Sequence, residues 1–189
     1  MAHRLVLIRH GETDWSHSGQ HTSRTDVALT ERGREQAARL AQRLESRHFV
    51  AVFTSPSQRA SSTAALAGLG DRAVVDGDLR EWDYGRDEGL TTPEIRVDRP
   101  GWTVWDQGPL EGETADEVGA RADDLLARLR LLLDEGDVAL VGHGHFLRVV
   151  AARWLELDGR EGRLLALDPG TISELDHERE QPVIRVWNS

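Results

Sequence analysis

Two histidines follow apolar runs and sit beside glycine: His10 in LVLIRHG and His143 in VALVGHG. Arg9 precedes the first, and Arg59 lies shortly after FVAVFTS. Arginine keeps its charge at any working pH, and its planar fork matches phosphate oxygens. A neutral imidazole is a competent nucleophile at neutral pH. One imidazole to attack, one proton donor and fixed positive charge suit phosphoryl transfer to histidine. A carboxyl group would then protonate the leaving alkoxide. Glu81, in the loop LREWDYG, is the carboxylate free to fold over the same place.

The elements that must position these groups are legible as patterns. The stretches 3–8, 49–55 and 137–144 read as buried strands. ISELDH and PVIRVW read as two last strands joined by a turn at 177–181. Thr30 caps a helix with Ala37, Leu40, Ala41 and Leu44 on one face. Pro56 suits the first turn of a helix that runs to about Ala67. Thr114 to Glu117 is a capping box for a helix with Val118, Ala122, Leu125, Leu129 and Leu132 inward. Residues 145–155 read as a further helix, 11–29 as loop, and 93–97 as one short helix. Strands that alternate with helices predict a three-layer α/β/α sandwich with a mostly parallel central sheet. The whole chain, 1–189, reads as one domain, with a lid-like insertion at about 86–113. Ligands of open α/β sheets bind outside the carboxyl ends of the strands. That rule sends Arg9, His10, Arg59 and His143 to one sheet edge, and the flanking glycines let a ligand approach closely.

Composition removes other chemistries. There is no cysteine, so thiolate nucleophiles, disulfides and cysteine metal sites are excluded. All 23 basic residues are arginine, which excludes lysine Schiff bases and the P-loop. A net charge of −10 disfavours nucleic acid and anionic membranes as partners. No apolar run approaches a membrane span, and no leader is signalled, which points to the cytoplasm.

Four blocks carry a resemblance. Arg9-His10-Gly11-Glu12-Thr13, then Ser55-Pro56-Ser57-Gln58-Arg59, then Leu79 to Gly85 with Glu88-Gly89-Leu90, and Gly142-His143-Gly144 resemble, in order and spacing, the histidine phosphatase superfamily. The branch is the phosphoglycerate-mutase-like one, and the match spans about residues 3–155. Within it the chain looks most like the small, broad-specificity acid phosphatases of actinobacteria. The resemblance implies the phosphoglycerate-mutase-like fold and phosphomonoester hydrolysis through a phosphohistidine. It makes His10 the nucleophile and gives Arg9 and Arg59 the phosphoryl oxygens. His143 donates a hydrogen bond to those oxygens, and Glu81 acts as general acid, then base. Ser16, Thr22, Ser23 and Gly144 complete the substrate-binding set it implies. The family often has asparagine where Ser16 stands and glycine where Ser23 stands, so those contacts differ here. No metal and no cofactor are implied.

The same centre can return the phosphoryl group to a sugar acid, as a mutase does, or hand it to water. The stretch 86–113 has Arg86, Arg96 and Arg99 against seven carboxylates: Asp87, Glu88, Glu94, Asp98, Asp106, Glu111 and Glu113. That balance argues against a strong second anion site and for a phosphatase acting on small phosphorylated metabolites. A phosphoglycerate mutase and a non-catalytic phospho-ligand module are the alternatives. Trp102 and Trp105 either anchor the long loop or add apolar surface to the site. His145 is expected to start a helix at the pocket's edge, and His17 and His21 to lie at the surface. The terminal strands leave pairing into a homodimer open.

Overall fold

The computed structural model describes residues 3–189. Strands β1 (Leu5–Arg9), β2 (Phe49–Thr54), β3 (Ala73–Val75), β4 (Asp137–Gly142), β5 (Ile172–Glu178) and β6 (Gln181–Val186) form a sheet in the order β3-β2-β4-β1-β5-β6. The pairs β1–β4, β2–β4 and β2–β3 are parallel, and β1–β5 and β5–β6 are antiparallel. The helices are α1 (Asp14–Ser18), α2 (Glu31–Leu44), α3 (Gln58–Leu66), α4 (Thr92–Asp98), α5 (Ala115–Leu133) and α6 (Gly144–Trp154).

Side chains alternate across a strand, so β1 feeds both layers. Val6 and Ile8 pack with Leu40, Leu44, Ala60 and Ala64 of α2 and α3. Leu5 and Leu7 pack with Val118, Ala122, Leu125, Phe146 and Val149 of α5 and α6. Leu5, Val6, Leu7 and Ile8 are all fully buried. Each contributes about 1.5–3 kcal/mol by leaving water, which makes a stiff mount for whatever follows the strand. Ile95, Trp102, Val104 and Trp105 belong to the same apolar cluster as α5 and α6, so the segment 86–113 is packed down in this conformation.

The capping signals work as read. Thr30 accepts from the Gly33 N–H, and Thr114 and Glu117 cap α5 reciprocally. Two local readings need correction. The stretch 11–29 is not all loop: Thr13 and Ser16 form a capping box for the five-residue α1, closed by left-handed Gly19. So short a helix leaves no apolar period to detect. Pro56 is not in a first turn either, because α3 is capped at Ser57 and starts at Gln58. No described helix is long and apolar enough to cross a membrane.

Candidate active site

Register brings the two histidines together. Arg9 pairs with Gly142 across β1 and β4, so His10 and His143 each stand one residue beyond that pair. The His10 N–H donates to the Gly142 carbonyl at 3.0 Å. The rings lie 5.2 Å apart, edge to face at 67°, and both are buried. On the other side of β4, Thr54 pairs with Val141, which sets Ser55 beside His143.

Hydrogen bonds define both tautomers. His10 Nδ1 lies 2.7 Å from the Gly11 carbonyl oxygen, which only accepts. Nδ1 therefore carries the proton, and Nε2 keeps its lone pair. For His143 the order is reversed. Its Nδ1 accepts from Arg59 Nε at 3.2 Å, and its Nε2–H donates to Ser55 Oγ at 2.7 Å. Burial, then Arg9 and Arg59, hold His10 well below the usual histidine range. Burial, then Arg59, does the same for His143. The site thus pairs one imidazole lone pair with one imidazole donor, both uncharged.

The positive charge beside them is fixed in place. Arg59 reaches from the first turn of α3 and also donates to the carbonyls of Thr22, Ser23 and Thr25. Arg9 donates to the Leu167 carbonyl, while its buried Nε has no partner. Neither has a carboxylate within 4.0 Å among the described residues. A Cβ on Gly144 would lie 3.1 Å from Arg9 Cζ, so a larger residue there would press on the Arg9 guanidinium. Gly11 differs from the sequence reading. A Cβ on it would meet the Gly33 carbonyl oxygen at 2.2 Å, so this glycine serves backbone packing against α2 rather than ligand approach.

Glu81 sits on the amino end of α6. One oxygen accepts from Trp82 N at 2.9 Å and Phe146 N at 2.8 Å, and the other from His145 N at 3.0 Å. The first N–H groups of a helix lack internal partners, and the helix dipole favours negative charge there. The N-cap residue of α6, His143, makes no side-chain cap of its own. Glu81 completes the helix and in doing so is held at the sheet edge.

A cavity of about 340 Å³ is lined by Arg9, His10, Glu81 and Gly144 together with Ser16 and Thr22. Arg59 is not among its lining residues. A second cavity, of about 430 Å³, is lined by Ser23, Ser55, Ser57 and His143, and Glu81 borders both. The hydroxyls are already engaged. Ser16 Oγ donates to the Thr13 carbonyl, Thr22 Oγ1 to the Gln20 carbonyl and Ser23 Oγ to Glu88.

The tryptophans do both things asked of them. Trp102 Nε1 donates to the Gly108 carbonyl at 2.7 Å, and Trp105 lies edge-on to Trp82 at 5.5 Å, while both line the first cavity. His145 starts α6 and lines the cavity, its Nδ1 2.6 Å from the Tyr84 hydroxyl. His21 is a correction: it is buried, stacked parallel to His145 at 6.2 Å and bonded to the Leu90 carbonyl. Its spacing from other elements carries no sequence signal. The sequence reading also missed Arg148, which lines the cavity. It lies one helical turn after Gly144, and that spacing on α6 is a signal that could have found it.

The model of the histidine phosphatase superfamily (branch 1) matches residues 5–189. An acid phosphatase of Mycobacterium tuberculosis is 45% identical over 172 residues, covering 90% of this chain and 84% of its own. A 2,3-bisphosphoglycerate-dependent phosphoglycerate mutase of Mesorhizobium japonicum is 33% identical, covering 90% and 89%. Among solved structures, an open-reading-frame product of M. tuberculosis superimposes with a TM-score of 0.95 at 42% identity, covering 100% of this chain and 98% of that one.

Proposed function

The chain belongs to the histidine phosphatase superfamily, and from that premise we propose a phosphomonoesterase that carries the phosphoryl group on His10. Phosphatase activity follows from the family and from the acid phosphatase relative; a mutase is the more distant relative. One observation carries the assignment of His10: a neutral imidazole with Nε2 free, beside a donor imidazole 5.2 Å away. The reaction has two steps. His10 Nε2 attacks phosphorus, the bond from phosphorus to the leaving oxygen breaks, and Glu81 gives that oxygen a proton. Water then attacks phosphorus and gives a proton to Glu81. The phosphorus–nitrogen bond breaks, and its electron pair returns to His10.

Arg9 and Arg59 supply the charge that the transferring oxygens need, in a buried site where such charge counts most. His143 or the Ser55 hydroxyl it holds supplies a neutral donor. The small cavity and the net charge of −10 favour small phosphorylated metabolites over phosphoproteins. We read the whole chain as one such domain, roofed by 86–113, working in the cytoplasm. The scheme uses no cofactor.

Quenching the enzyme during turnover of p-nitrophenyl phosphate, then mapping peptides by mass spectrometry in alkali, should find one phosphoryl group on His10. Turnover without any phosphorylated His10 would overturn the reading.

Acid should separate activity from stability. His10 is held well below 6.5, so its lone pair persists as pH falls through 6.5. The factor kcat/KM is expected to show no loss of the nucleophile there. Stability behaves oppositely. His10, His143 and His145 are all held neutral in the fold, whereas the unfolded chain protonates below about 6.5. The unfolded state then binds more protons, so each of these histidines lowers stability by about 1.4 kcal/mol per pH unit below that value, until its folded pKa is reached. Thermal midpoints and pH–rate profiles on one buffer series check both signs.

A further inference from the structure

We propose that the second cavity is the entrance by which hydrolytic water reaches the phosphohistidine, separate from the cavity that takes the ester and releases its alcohol. This rests on the two-step phosphatase reading above and assigns a route to its second step.

The two cavities meet at one carboxylate. Among the described residues, Glu81 is the one that lines both. Sequence neighbours make the rest of the partition: Thr22 lines the first cavity and Ser23 the second, Gly144 the first and His143 the second. A carboxylate offers about four acceptor positions. The N–H groups of Trp82, Phe146 and His145 take three of those on Glu81. The position left lies on the oxygen that His145 bonds. It takes the proton of the water as the water oxygen bonds phosphorus, the phosphorus–nitrogen bond breaks and its electron pair returns to His10.

Ser55 shows that the second cavity is built to hold a guest. It is only 1% exposed. Its Oγ accepts from His143 Nε2–H at 2.7 Å and from the Ser57 N–H at 3.4 Å. Both lone pairs are taken, and the hydroxyl proton has no acceptor among the described residues. An unmade bond on a buried hydroxyl is costly. Ser55 lines the second cavity and not the first, so the acceptor it needs belongs there. Arg59 Nε donates to His143 Nδ1 at 3.2 Å, and His143 donates to Ser55, each bond polarising the next.

That acceptor is a neutral one. The lining has four carboxylates, Asp26, Glu81, Asp83 and Glu113, against the guanidinium groups of Arg24 and Arg80. Arg24 pairs with Asp83 and Arg80 with Glu113. An anionic ester therefore meets like charge there, whereas water meets donors and acceptors together. A cavity of about 430 Å³ holds several water molecules at about 30 Å³ each. The first cavity, with Arg9, His10, Trp102 and Trp105 in its lining, suits the ester and its alcohol. An alcohol that lingers there is placed to take the phosphoryl group back. Water from the far side of Glu81 does not have to pass it, which favours hydrolysis over return.

Ser57 is the residue with which to close the entrance. It lines the second cavity, is half-buried, and caps α3 without a side-chain bond. Ser57→Phe should therefore keep its thermal midpoint while filling the entrance; Ser57→Leu, a smaller plug, gives a second arm. Enzyme mixed with one equivalent of p-nitrophenyl phosphate is quenched at intervals. In Ser57→Phe the phosphohistidine should decay about tenfold more slowly than in the wild type, a barrier about 1.4 kcal/mol higher. The value of kcat/KM, which covers steps only through departure of p-nitrophenol, should not change, and Ser57→Ala should match the wild type in both. With glycerol present, the ratio of glycerol phosphate to inorganic phosphate should rise in proportion, because glycerol still enters through the first cavity. Unchanged decay in a folded Ser57→Phe or Ser57→Leu, formation and decay slowed equally, or an unmoved ratio overturns the separate entrance and leaves the phosphatase reading standing. Absence of phosphohistidine in the wild type overturns both.

Discussion

Replacing His10 by Ala is expected to lower kcat/KM for p-nitrophenyl phosphate by about 10⁴-fold or more, and to abolish the trapped phosphoenzyme. The size of the loss is what discriminates. A side chain that only donates a hydrogen bond to the transferring group accounts for about 10²–10³-fold when removed. Removing a covalent nucleophile eliminates the two-step path itself and leaves only the residual effect of the binding site. The substitution should not unfold the protein. His10 makes one side-chain hydrogen bond, to its own neighbour Gly11, and the strand that mounts it is held by Leu5 to Ile8. Arg9 and Arg59 keep their own anchors on Leu167, Thr22, Ser23 and Thr25. The variant should therefore still bind inorganic phosphate, measurable by calorimetry. A loss of only 10²-fold, with normal phosphate affinity, would demote His10 to a binding group.

How much of this was legible in the sequence varies by residue, for physical reasons. The apolar runs before His10 and His143 mark strands buried on both faces, and the run before Ser55 a strand that leaves Val50 exposed; together they belong to a mostly parallel sheet with its site at their carboxyl ends. Their order within the sheet is not local information. That β4 lies between β1 and β2, in a register that pairs Arg9 with Gly142, depends on long-range packing that no short window contains. Glu81 shows the same limit more sharply. Its residue type and block were recognisable, but its seat is made by the N–H groups of His145 and Phe146, 64 and 65 residues away. Composition also counts every carboxylate in 86–113 alike, whereas the fold engages them one by one: Asp87 pairs with Arg99, Glu111 with Arg86 and Glu113 with Arg121. Gly11 was read as room for a ligand because a glycine beside a reactive residue has that use. Its close approach to the backbone of Gly33 in α2, a loop seated against a helix, needed coordinates.

Glu81→Gln should separate chemistry from architecture, because Glu81 has a role in each. As a proton donor it matters most where the leaving group is a poor one. For an alkyl ester such as glycerol 3-phosphate, kcat/KM is expected to fall by about 10³-fold, within the usual span for a general acid. For p-nitrophenyl phosphate, whose leaving group departs without help, kcat/KM should fall about tenfold or less. That parameter covers steps only through departure of the leaving group, so it reports on the acid role alone. The base role appears in kcat. With water no longer activated, the second step becomes limiting, so p-nitrophenol should be released in a burst of one equivalent while His10 stays phosphorylated. Architecture predicts something different. Glutamine can keep the two bonds from Trp82 and Phe146 through its oxygen, but its amide then faces the His145 N–H, donor against donor. If capping α6 were the whole of Glu81's work, the thermal midpoint would drop and both esters would lose rate in equal proportion, with no burst. An unequal loss with a burst assigns the proton to Glu81; an equal loss without one removes it from the chemistry and leaves it as the cap of α6.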